Sequence, residues 1–334
     1  MNTNRRTFIK AASLAGAGLM TSGNRLFGQP ANSDGIRVGI IGLDTSHSPA
    51  FAKAMNNAEN PLMEGIKVVA AYPYGSKTIE SSYKRIPGYT DEFKKMGIAI
   101  VDSEKELLQQ VDAVLLETND GNLHLEQALQ VLEAGKPVFI DKPVAAGIKD
   151  TYKIFAEAEK RKVKMFSSSS LRYMEKAQQV RYEGLVGDLT GADAFSPINF
   201  EPSHSPLYWY GIHGVEILYT MLGQGCQWVK WEEYGDHLVA SGQWKDGKLG
   251  IFRGDLKGRQ QYGGTAYGTK GATPVGPYGG YGALVDVIAK FFKSGEVPIA
   301  PAETLELYSF MEAAAWSRDR KGEKVMIKEV IDSI

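Results

Sequence analysis

The chain has 334 residues, which at the usual ~150 residues per domain predicts two domains. Apolar residues make up 43% and charged residues 23%, so a disordered, collagen-like or coiled-coil chain is excluded. Lys+Arg number 38 and Asp+Glu 39, and a net charge of −1 gives no basic surface for nucleic acid or an anionic membrane. The single cysteine, Cys226, excludes an intramolecular disulfide and a Cys-based zinc site. No stretch approaches the ~20 apolar residues of a membrane-spanning helix.

Residues 1–31 stand apart. Asn4-Arg5-Arg6-Thr7-Phe8-Ile9-Lys10 closely resembles the twin-arginine export signal, and a weakly apolar stretch, Ala11 to Met20, follows it. The resemblance implies export to the periplasm, a pathway that carries proteins already folded. Removal of residues 1–31 takes away Arg5, Arg6, Lys10 and Arg25 and no acid, leaving a net charge of −5.

Beyond that segment, Ile36 to Gly42 is an apolar run ending in glycine and reads as a buried parallel strand. Pro49 to Asn57 reads as the following helix, and Lys67 to Tyr72 as a second strand. Ser103 and Glu106 form a capping-box start, with Ser103 as N-cap. Val111 to Glu117 is the next strand. Leu125, Ala128, Leu129 and Leu132 share one helical face, which Gly135 terminates. Pro137 to Ile140 is a further strand that runs into Asp141-Lys142-Pro143. This alternation predicts an α/β fold, a Rossmann-like doubly wound parallel sheet over residues 34–150. Ligands of such sheets sit at the carboxyl ends of the strands, which gathers Asp44 to Ser48, Tyr72 to Ser76, Thr118 to His124 and Asp141 to Pro143 around one crevice.

Residues 151–334 read differently. Trp228 to Tyr234, His237 to Trp244 and Lys248 to Leu256 predict a mostly antiparallel open sheet in an α+β domain. Tyr262 to Gly282, with eight glycines and four tyrosines, reads as a long loop. Ala283 to Lys293 and Ala302 to Trp316 read as helices, the second packing back on the first domain.

Several segments together resemble the Gfo/Idh/MocA family of sugar oxidoreductases. They are the strand Val38 to Gly42, the run Val111 to Leu116 with His124, Ala128 and Glu133-Ala-Gly135, and Asp141-Lys142-Pro143, which looks like the family's Glu-Lys-Pro signature. Gly187-Asp-Leu189, Gly211-Ile-His213 and Ala313 to Ser317 continue the pattern. The resemblance implies NAD- or NADP-dependent redox at a hydroxyl of a small-molecule sugar substrate, in a homo-oligomer built on the open sheet. It makes Lys142 and His213 the central catalytic pair. A histidine titrates near working pH and takes a hydroxyl proton, and a fixed ammonium favours a developing alkoxide. It assigns Gly42, Asp44, Thr45, Ser46, His47, Thr118, Asn119, His124 and Asp141 to the cofactor, and Arg172, Tyr208, Tyr210 and Glu216 to the substrate.

The chain departs from the family pattern in three places. The glycine-rich loop falls on Gly42 to His47, where only the first glycine is present and Asp44 replaces the second, setting a carboxylate beside a dianionic pyrophosphate. No acid follows the second strand to hold a ribose, and Lys77 suits a 2′-phosphate. The family often has Asp four residues before its histidine, where this chain has Trp209; Glu216, one turn after His213, is the expected substitute. Asp44, His47, Glu201, His204 and His213 lack the spacing of metal ligands, so no metal ligand is assigned. Tyr262, Tyr267, Tyr278 and Tyr281 are weaker candidates for a sugar platform. Two other readings remain open on these residues: a lyase or hydratase acting on keto-sugars without net redox, and a non-catalytic sugar-binding protein.

Overall fold

The computed structural model describes residues 35–258 and 261–334. The export-signal reading falls on residues outside that range. The first sheet is built from β1 (Ile36–Ile41), β2 (Ile66–Tyr72), β3 (Ala99–Ile100), β4 (Ala113–Leu116), β5 (Val138–Ile140) and β6 (Met165–Ser167). All six are parallel, in the order β3-β2-β1-β4-β5-β6. The four residues of β4 and the three each of β5 and β6 are wholly buried, as unbroken apolar runs in a sheet covered on both faces must be. Strand order reverses on either side of β1, which puts the switch point at the loop after Ile41.

Helices α1 (His47–Met55), α2 (Ile86–Lys95), α3 (Glu104–Gln110), α4 (Gly121–Glu133) and α5 (Ile148–Arg161) connect these strands. Ser103 caps α3 by accepting from the Glu106 amide at 3.2 Å, while the Glu106 carboxylate accepts from Asp102 N rather than from the cap residue itself. Gly135, at φ +69°, ends α4 in the left-handed conformation that a side chain would strain.

The second sheet has the order β12-β11-β7-β10-β9-β8-β13. Its strands are β7 (Leu189–Pro197), β8 (Cys226–Tyr234), β9 (His237–Trp244), β10 (Leu249–Asp255), β11 (Gly263–Gly268), β12 (Gly271–Val275) and β13 (Val325–Met326). Among the described residues of this sheet, only β7 and β10 pair in parallel. Helix α6 (Glu175–Tyr182) precedes this sheet, α7 (Ile212–Leu222) crosses β7 and β10, and α9 (Pro301–Asp319) lies along β8. Helix α10 (Ile327–Asp332) ends the chain.

Two expectations change. The first sheet takes in β6, so it extends past the boundary expected at residue 150. The segment expected as a glycine-rich loop holds the hairpin β11–β12. A Cβ on Gly264 would stand 2.2 Å from the Asp193 carbonyl oxygen, so glycine is there for close strand approach rather than for a turn. Helix α9 packs back on the first domain as expected, its Tyr308 hydroxyl accepting from Val144 N at 2.6 Å, and helix α8 (Gly282–Ser294) enters that domain's core as well. Its Leu284, Val285, Ile288 and Phe291 pack in one cluster with Val38, Phe51, Phe139 and Phe166. The Phe166 and Phe291 rings meet edge to face at 5.0 Å.

Because Phe291 fills that cluster, Phe291→Ala is expected to cost about 3–5 kcal/mol of unfolding free energy in a denaturant titration. A loss below about 1 kcal/mol would mean that α8 is only an accessory to the core.

Candidate active site

A polar cavity of about 340 Å³ opens at the carboxyl ends of β1, β4 and β5. Its floor is the start of α1, Thr45 to His47, together with Lys142. Its roof comes from the second domain, with Trp209, Tyr210 and His213, and from the β12–α8 connection, with Tyr278 and Tyr281. Arg85 and Asn119 close one end.

His213 sits in the first turn of α7 because glycine precedes and follows it. A Cβ on Gly214 would stand 2.3 Å from the Phe252 ring, so this turn is pressed against β10 as only glycine allows. The His213 Nδ1 lies 2.7 Å from Ser169 Oγ, which leaves Nε2 for the cavity. Burial, with Lys142 and His47 adding positive charge nearby, holds His213 well below its usual 6.5. The ring is therefore a neutral imidazole at pH 7. Lys142 is also buried, and burial draws its ammonium below 10.5 against the pull of Asp141 and Glu117. Its Nζ stands 5.9 Å from the centre of the Tyr210 ring, the same ring that His213 meets edge-on at 6.0 Å. The two expected central residues thus face one cavity across Tyr210.

Gly42 adopts φ +95°, and a Cβ there would lie 2.4 Å from Thr118 N. The loop from β1 therefore turns tightly over the end of β4, as the first glycine of a dinucleotide loop does. Asp44 departs from its expected role. Its carboxylate is fully buried and accepts from Ser76 N and Asn119 N, each at 2.9 Å. It points behind the loop and does not line the cavity. Burial pushes it up to about 6, with the two backbone donors opposing. The carboxylate that the sequence set beside a pyrophosphate is instead turned inward onto two backbone amides, away from the cavity.

Other expected residues are placed elsewhere. Thr118 and His124 lie behind the cavity wall. His124 Nε2 is 2.5 Å from Thr118 O and Nδ1 is 3.2 Å from Val144 O, so the imidazole clamps the loops after β4 and β5 together. Asp141 is buried against His47, at 2.6 Å from its Nδ1. Arg172 does not reach the cavity: it pairs with Glu216 and, at 2.7 Å, with Glu303, which also binds Arg181 at 2.7 Å. Glu216 is thereby taken up by Arg172 and does not support His213; the neutral Ser169 hydroxyl holds that ring instead. Tyr208 is core, packed edge-on against Tyr308 at 5.1 Å. His204 accepts from Gly121 N at 3.0 Å and its ring meets Trp209 at 5.0 Å, well away from a cluster with His47. Tyr267 bonds Asp193 on the outer sheet.

Sequence reasoning missed Arg85, Asn199 and Ser169, which carry no motif. It also passed over Glu117, whose signal was available: an acid ending a strand that is otherwise wholly apolar.

Comparison with known proteins agrees with this architecture. The model of the Gfo/Idh/MocA oxidoreductase family, NAD-binding Rossmann fold, matches residues 36–169. Among curated proteins, a glycosyl hydrolase family 109 protein of Shewanella pealeana is 23% identical over 58% of this chain and 46% of its own length. An alpha-N-acetylgalactosaminidase of Shewanella oneidensis is 23% identical over 63% of this chain and 51% of its own. The chain spans about half the length of the curated relatives it matches. Among solved structures, an oxidoreductase from Thermotoga maritima has a TM-score of 0.70 at 20% identity, covering 89% of this chain and 99% of that one. The myo-inositol dehydrogenase of Lactobacillus casei, solved with NAD(H) and myo-inositol, has a TM-score of 0.68 at 16% identity, covering 87% and 96%. At these identities the structural likeness establishes the fold.

The Arg172 network makes a structural prediction. Arg172→Met strands Glu216 in the interior, and the expected loss is about 3–5 kcal/mol of unfolding free energy by chemical denaturation. A loss near zero would return Arg172 to the list of ligand-binding candidates.

Proposed function

We propose that this chain, whose residues 36–169 match the model of the Gfo/Idh/MocA oxidoreductase family, oxidises or reduces a hydroxyl-bearing carbon of a sugar or sugar derivative. The observation that carries the proposal is the convergence of Lys142 and neutral His213 on one polar, aromatic-roofed cavity at the switch point of the sheet. A nicotinamide dinucleotide is the cofactor that the family implies. The residues present fit its nicotinamide and phosphate end. Gly42 makes the tight turn, the start of α1 offers backbone N–H groups to an anion, and Arg85 supplies a cation at the cavity's end. When bound, the nicotinamide accepts or returns the hydride.

The protein's own residues do the rest. In the oxidising direction His213 Nε2 takes the hydroxyl proton as the carbon–oxygen double bond forms. The Lys142 ammonium stabilises the oxygen while its negative charge develops. Tyr210 and Trp209 give the sugar ring an apolar face, and Asn199 and Ser170 offer hydrogen bonds to its other hydroxyls. Export to the periplasm rests on residues 4–10 and belongs to the same proposal. So does a homo-oligomer, supported by the half-exposed face of β8 and β9 that carries Lys230, Glu232 and Ser241.

A second reading, elimination or hydration of a keto-glycoside without net redox, is favoured by one observation. Asp44 ties the loops after β1, β2 and β4 together where an adenosine ribose usually lies, and no acid follows β2. The glycosidase names of the curated relatives point the same way.

The deciding experiment denatures the exported protein and assays the supernatant for NAD(H) and NADP(H) by mass spectrometry, then titrates the protein with both. Binding of either supports the redox reading. Failure of both, together with turnover of a keto-glycoside without added cofactor, replaces it with the second. Under the redox reading, kcat/KM plotted against pH rises through an acid limb below 6.5, set by His213, and falls through an alkaline limb below 10.5, set by Lys142. His213→Ala and Lys142→Met should each lower kcat by about 10²–10⁴-fold.

A further inference from the structure

Glu117 closes β4 in a place where the strand is otherwise apolar, and its carboxylate is fully buried. Among the described residues, neither of its oxygens has a hydrogen-bond partner. A buried carboxyl group without a partner costs several kcal/mol, so a fold does not keep one without compensation. One oxygen of Glu117, one of Asp141 and one imidazole nitrogen of His47 all lie within 4.8 Å of one another. His47 reaches the cavity wall, while Glu117 and Asp141 stand behind it. The ring of His47 is fixed by stacking on Phe51 at 5.6 Å and by the edge of Tyr281 at 4.8 Å. Three elements supply the trio: the start of α1, the end of β4 and the end of β5.

We propose that His47, Glu117 and Asp141 form a binding site for a divalent transition-metal ion, with its open side facing the cavity beside Lys142. Imidazole nitrogen and carboxylate oxygen are donors that zinc and manganese accept. Three protein ligands leave further positions for water or a substrate oxygen, as in catalytic rather than structural sites. The ion answers the fact that the protein alone leaves open, the unpartnered carboxylate of Glu117, and it would share the Asp141 oxygen and His47 nitrogen that now meet at 2.6 Å. It would polarise a carbonyl or hydroxyl oxygen of a ligand in the cavity, next to the ammonium of Lys142. The proposal stands whether or not a dinucleotide binds, because none of its three ligands is needed for the Gly42 turn.

The test uses the full chain, stripped with a chelator and passed over a desalting column. Zn²⁺ and Mn²⁺ are each titrated by calorimetry, and retained metal is measured by inductively coupled plasma mass spectrometry. The expected result is about one equivalent retained per chain, with a rise in the thermal midpoint of roughly 5 °C at a hundredfold excess over Kd. Glu117→Gln keeps the shape of the buried side chain and should abolish both effects. His47→Gln changes a residue at the cavity wall and should weaken binding at least tenfold, which covers the case in which the Glu117 variant does not fold. Failure of the wild-type protein to retain either ion overturns the proposal. So does binding that survives in both variants, which would put the metal elsewhere in the chain. Nicotinamide binding is measured separately, so its failure leaves these outcomes distinct.

Discussion

The carboxyl ends of β1, β4 and β5 must satisfy their backbone polar groups inside the protein, because two domains close over them. That constraint organises the whole site. Asp44 accepts the Ser76 and Asn119 amides, His124 bridges two carbonyls, His204 accepts the Gly121 amide, and the Tyr308 hydroxyl accepts the Val144 amide at 2.6 Å. Each tie crosses between loops that are distant in sequence, and Tyr308 and His204 bring in the second domain. An unmade bond in such a place costs about 1–3 kcal/mol, so this set of ties decides where the loops lie. The cavity is the space they leave.

Electrostatics in that space follow from the same closure. Burial lowers Lys142 and His213 and raises Glu117 and Asp44, so each of these groups is moved toward its neutral form. Asp141 resists: burial works against its charge, yet His47 and Lys142 beside it hold the carboxyl below its usual range. A neutral base, an ammonium and an ionised acid thus coexist within one crevice. Groups pushed apart in this way are the mark of acid–base chemistry. The Arg172–Glu303–Arg181 network lies outside the cavity and serves a different end, joining α6 and α9 to the segment that follows β6.

Much of this was legible in the chain. The apolar runs of β1, β4 and β5 must be buried on both faces, and the turn residues between them leave a parallel sheet as the answer. Lys142 and His213 carry motif context, and the cavity contains both. The hairpin β11–β12 was hidden because Gly263, Gly264 and Gly268 serve close packing, which looks like turn chemistry in one dimension. Arg172, Tyr208 and Glu216 were read as ligand contacts because charge and aromatic character do not report direction. Tertiary packing turned all three into the interior.

By itself the sequence determined the α/β class, the glycine-ended first strand at Gly42, and the chemical types that gather at the strand ends. Hydrophobic periodicity and glycine placement are local, and they survive any tertiary arrangement. Only the tertiary structure decided which acids face a ligand and which face the backbone. Asp44 was turned inward by two amides from other loops, and Glu117 was left unpartnered between His47 and Asp141. Those outcomes depend on the distance between residues up to about a hundred positions apart, which no local pattern encodes.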